Sequence, residues 1–163
     1  MSRQFIFRHY WWIAIVAGLA SIATVLKVTD DGRVALVGSV VAGLLGFCYF
    51  AQTQKLQEMA LFKELFTEFN RRYDELNDRL AKIAVAGTAN PDSRAVIVDY
   101  FNLCAEEYLW FSEGYIPRVV WKSWCAGMLA YLYVEPFRTI WDEESATNSY
   151  YGLSIEIVKK GAG

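Results

Sequence analysis

Between Tyr115 and Trp141 seven aromatic side chains (Tyr115, Trp121, Trp124, Tyr131, Tyr133, Phe137 and Trp141) interleave with three isolated cations, Arg118, Lys122 and Arg138. Aromatic rings stack on bases, and Arg or Lys meets phosphate, so this pattern suits a single-stranded or cyclic nucleotide. The candidate ligand-binding residues are Arg118, Lys122, Arg138, Trp121 and Trp124. The competing reading makes the aromatics core and the cations their solvated rim.

No other chemistry assembles. His9 is the one imidazole and precedes the apolar N-terminal run, so a His-assisted Ser or Cys nucleophile is not expected. Glu106 and Glu107 are adjacent, as are Asp142, Glu143 and Glu144; neighbours on a helix do not face one another, and these acids read as solvated surface. There is no Gly-rich phosphate loop and no Cys or His metal spacing, so no catalytic residue, metal or cofactor is expected and the chain reads as a non-enzyme. Cys48, Cys104 and Cys125 are scattered and read as small hydrophobes in a reducing compartment.

The elements that must carry these residues follow from hydropathy. Of 163 residues, 55% are hydrophobic and only 21% charged, which is oily for a soluble domain. The net charge of −2 gives no electrostatic case for duplex nucleic acid. The excess lies in two runs, residues 10–28 and 34–51, each long enough to cross a hydrocarbon core of roughly 30 Å as a helix. Asp30, Asp31 and Gly32 between them predict a tight turn and hence a transmembrane hairpin. Arg3 and Arg8 before the first run, and Lys55, Lys63, Arg71 and Arg72 after the second, predict both termini on the cytoplasmic side of the membrane. Small residues four apart, such as Gly38, Ala42 and Gly46, permit close helix approach within the hairpin or between copies, so a homo-oligomer is expected.

From residue 52 no Gly or Pro occurs until Gly87, and Met59, Phe62, Phe66, Phe69, Tyr73, Leu76, Leu80 and Ile83 repeat at spacings of three and four. That heptad pattern predicts a long helix over 52–86 continuing from the second span. Its Phe-rich seam either packs on helices of its own chain or joins several copies. Asn90 or Asp92 with Pro91 then starts a helix whose face is Ile97, Phe101, Cys104, Tyr108 and Phe111. Gly114 stops it, Ile116-Pro117 opens another with Val120, Trp124, Met128 and Tyr131 inward, and Pro136 ends or kinks that one. The expected architecture is all-α: a membrane hairpin over 1–51, then a cytosolic domain over 52–163 made of the long helix, a helical hairpin over 91–135 and a short tail. The tail from Asp142 reads equally as a strand or a last helical turn.

The runs FKELFTEFNRRYDELN (Phe62 to Asn77) and VDYFNLCAEEYLWFSEGYIPRVVWKSWCAGM (Val98 to Met128) resemble a group of small uncharacterised bacterial membrane proteins with N-terminal spans and a cytosolic helical domain. Trp121, Trp124, Gly127 and Met128 are the most recognisable piece. The chain is also similar to membrane effectors of type III CRISPR antiviral defence, which implies a cytosolic domain that senses cyclic tetra-adenylate. The expected function is a non-enzymatic membrane effector or regulator that senses such a ligand and perturbs its membrane helices; the rival is a scaffold subunit that recruits a protein partner at the membrane.

Overall fold

The computed structural model describes residues 12, 15–21, 23–24, 30–146 and 149–163. Among the described residues from Asp30 onward five helices follow in order: α1 over Asp30–Ala86, α2 over Pro91–Ser112, α3 over Arg118–Leu132, α4 over Phe137–Ser145 and α5 over Ile155–Ala162. No strand occurs among the described residues, so the all-α class holds. The chain divides into two compact units, Met1–Ala60 and Leu61–Gly163.

In the first unit, residues 15–21 are helical, and most of the 10–28 run lies outside the described residues. A methyl group built on Gly18 would stand 3.5 Å from Leu44 Cδ1 of α1. The predicted turn is corrected in part: Asp30, Asp31 and Gly32 are already helical. Residues 25–29, with the start of the predicted turn, lie outside the described residues. From Val34 onward α1 is long and apolar enough to cross a membrane; its most apolar window has a mean hydropathy of 2.1 and is only 6% buried. So greasy a surface left uncovered suits lipid rather than water.

In the second unit the seam of α1 turns inward. Phe69, Leu76, Leu80 and Ile83 are buried, and Tyr73 and Phe62 are half-buried against the core. Phe69 meets Trp124 of α3 edge-on at 5.8 Å, and Tyr73 meets Tyr100 of α2 at 6.2 Å. Of the two readings of the seam, the part within this unit packs on its own chain. Rings this large bury enough area to hold several helices on one (about 150–250 Å² each).

Helix α1 ends where Gly87 takes a left-handed φ of 65°. Asn90 then starts α2 with a capping box: the Ser93 amide donates to Asn90 Oδ1 at 2.8 Å and the Asn90 amide to Ser93 Oγ at 2.7 Å. Asn90→Ala is expected to lower stability by about 1 kcal/mol while Asn90→Ser stays near the parent, as read from denaturation midpoints. Both predicted breaks at Gly114 and Pro117 occur, with Gly114 at a φ of 85° and α3 beginning after Pro117.

On α3 the buried face is Trp121, Cys125, Met128 and Leu132, one position round from the expected Val120, Trp124, Met128 and Tyr131. The reason is α5, which sequence periodicity left undecided. Ser154 caps it by accepting from the Ile157 amide at 3.3 Å, and Ile155 and Val158 are buried. It packs against α3 and covers the Trp121–Cys125 side.

Candidate functional site

Glu106 and Glu107, expected as a solvated pair, have separate environments. Being adjacent on α2 they point about 100° apart. Glu106 reaches Arg72 on α1, whose Nη1 and Nη2 donate to Oε2 at 2.5 Å and Oε1 at 3.0 Å. Glu107 points the other way and is only 7% exposed. No described residue donates a hydrogen bond to it. Burial pushes its carboxyl up to about 8, the nearby Arg72 charge opposing this and Glu106 adding to it. The surface reading of Glu107 is thus corrected: three positions after Cys104, it shares the inward face of α2 that Ile97, Phe101 and Cys104 define.

Glu107 opens onto a cavity of about 190 Å³. Helix α1 contributes Asn70 and Tyr73, α2 contributes Tyr100 beside Glu107, and α3 contributes Ser123, Trp124, Gly127 and Met128. Burial, with the Tyr131 hydroxyl second, pushes Tyr73 up to about 12, and burial takes Tyr100 well above its usual range. Burial also raises the Cys104 thiol and pushes Cys125 up to about 12, so neither sulfur is a nucleophilic thiolate near neutral pH. Glu107 is therefore the cavity group whose protonation changes closest to neutrality.

The five residues predicted from sequence are not brought together at this cavity: of them only Trp124 lines it. Trp121 is buried, stacked on Phe111 at 4.8 Å and 13°, with Tyr108 at 5.7 Å. Such packing makes its ring part of the core. Trp124 stacks on Phe66 at 6.1 Å and 11° and also borders the Glu107 cavity. Arg118 and Lys122 lie one turn apart on α3, both exposed. Arg118 makes no ion pair with a described residue, and Lys122 Nζ donates to the Gly163 carbonyl at 3.0 Å. Arg138, on α4, pairs with Asp142 at 2.9 Å and borders a different cavity, of about 390 Å³, with Tyr150, Ser154 and Glu156.

A third hollow, of about 480 Å³, lies between α1 and α2, where Arg72 and Arg79 face Glu75, Asp99 and Glu106. Its acids outnumber its cations, which disfavours an anion there. Among the described residues no cluster of His, Cys, Asp and Glu is arranged to hold a metal.

Comparison of the chain with protein-family profiles, curated proteins and solved structures finds no match.

Proposed function

We propose that this protein is a non-enzymatic effector or regulator anchored in a bacterial inner membrane, whose helical domain binds a ligand and passes the change to its membrane helices. One observation carries the reading: α1 runs from the uncovered apolar window after Val34 to Phe69, which packs on Trp124 of α3, the helix that also carries the exposed Arg118 and Lys122. A ligand that prefers one setting of those residues biases the helix that enters the lipid. The approach of Gly18 to Leu44 supports a membrane hairpin over residues 10–28 and 34–51, and the Lys and Arg that flank the two runs support cytoplasmic ends. Its small-residue rows support a homo-oligomer.

For the ligand, a cyclic oligonucleotide of antiviral defence fits the resemblance. The exposure of Arg118 and Lys122 one turn apart supports contact with phosphates, and a symmetric oligomer would repeat them in every copy. Full-length protein in lipid vesicles, titrated with a panel of cyclic oligoadenylates, is expected to show a saturable rise in melting temperature. The combined Arg118→Ala, Lys122→Ala and Arg138→Ala variant is expected to lose that rise with its helix content unchanged. If no cyclic oligonucleotide stabilises the parent, or the triple variant responds equally, the nucleotide reading fails and the scaffold reading takes its place.

A further inference from the structure

The Glu107 cavity has a charge arrangement that nothing in the proposed nucleotide reading uses. Arg72 is taken by Glu106 through two hydrogen bonds, so its positive charge is answered before Glu107 is considered. Glu107 remains as an acid on a residue only 7% exposed, with no donor from any described residue, on the wall of an otherwise uncharged cavity. Burying an acid in this way is costly unless something else repays it. Around it stand Tyr73, Tyr100 and Trp124, whose ring faces are negative, and the soft sulfur of Met128. The ring faces and an ionised Glu107 favour a cation over an anion there. The volume of about 190 Å³ falls below the roughly 300–1,000 Å³ of pockets for drug-sized ligands, so a nucleotide is too large and a compact head group is the right size.

We propose that this cavity is a binding site for a small organic cation, an ammonium or guanidinium group that pairs with the Glu107 carboxylate against the rings of Tyr73, Tyr100 and Trp124. The cation neutralises the one uncompensated acid of the Arg72, Glu106 and Glu107 group, and its alkyl surface replaces water against the rings. Asn70 and Ser123 at the cavity wall add polar contacts for a ligand that carries N–H groups. Because Asn70 and Tyr73 belong to α1, occupancy bears on the helix that carries the membrane window. The site is independent of Arg118, Lys122 and Arg138, none of which borders it.

The test is titration of the full-length protein, in detergent micelles, with tetramethylammonium and with guanidinium, followed by calorimetry and tryptophan fluorescence. Sodium chloride at matched ionic strength and tert-butanol, a neutral compound of similar shape, serve as controls. Saturable binding is expected for at least one cation and for neither control. Glu107→Gln is expected to weaken it at least tenfold. Gly127→Leu keeps the carboxyl but adds bulk at the cavity wall, and is expected to abolish binding with helix content unchanged; a Cβ at Gly127 meets nothing within 4 Å. The proposal is overturned if neither cation binds, if tert-butanol binds equally, or if either variant binds as the parent does. Such a failure leaves the nucleotide titration of the proposed function untouched, and the reverse also holds.

Discussion

Glu107→Gln is expected to flatten the dependence of stability on pH and to make the protein more stable than its parent at about pH 9 by a few kcal/mol. The carboxyl titrates at about 8 in the fold against a model value of 4.5, because burial penalises the charged form. A folded value above the unfolded one means that the native state binds the proton more tightly. Its contribution is fully present below 4.5 and is lost as pH rises through 8, at about 1.4 kcal/mol per unit across that window. Glutamine has the same shape and never ionises, so it escapes the loss.

At about pH 4 the two proteins should be nearly equal, since glutamine and a neutral carboxyl leave similar polar groups unpaired. The other groups facing Glu107 do not imitate the effect. Arg72 stays charged throughout, and Tyr73, Tyr100, Cys104 and Cys125 are all shifted upward, away from this range. Urea denaturation of the full chain in micelles, at several pH values between about 4 and 9, checks this. Parallel profiles for parent and variant would contradict it.

Gly161→Ala is expected to destabilise the second unit by about 1–3 kcal/mol or more, although alanine is the better helix former. A Cβ on Gly161 would stand 2.4 Å from Cys125 Sγ and 2.7 Å from Trp121 Nε1. Neither atom can yield easily: Cys125 is fully buried, and the Trp121 indole is held against Phe111. Helix α5 must lift, exposing Ile155 and Val158, and the Lys122 bond to the Gly163 carbonyl lengthens with it. Gly127→Ala on α3 is the internal control. Its Cβ meets nothing within 4 Å, so it should gain up to about 1 kcal/mol from helix propensity alone. Thermal melts of both variants, with hydrogen exchange over α5, separate a packing effect from a propensity effect. A Gly161→Ala variant as stable as its parent would mean that α5 does not dock as described.

The two predictions rest on residues that periodicity did not single out. The spacing of Met59 through Ile83 and the break at Gly87 were enough to place a long helix, since one face repeated without interruption and the breakers were Gly and Pro. Asn90, Gly114 and Pro117 likewise act through their own backbone preferences, which need no partner to be read. The inward face of α3 was read one position off because α5 covers it, and α5 is too short, at eight residues, for its alternation to decide between strand and helix. For Trp121 and Trp124 the pattern left both readings, core and ligand platform, open, since a ring's exposure depends on what packs on it, here Phe111, Phe66 and Phe69.

By itself, then, the order of residues determined the helical class, the apolar stretch able to cross a membrane, the heptad seam and the breaks between α1, α2 and α3. Each of these depends on local backbone preference or on hydropathy along one segment. Only the tertiary structure decided that Glu106 would answer Arg72 while Glu107 turned inward beside Tyr73, Tyr100 and Trp124. The protonation of an acid is set by the water it loses and the charges that approach it, and both come from helices distant in sequence.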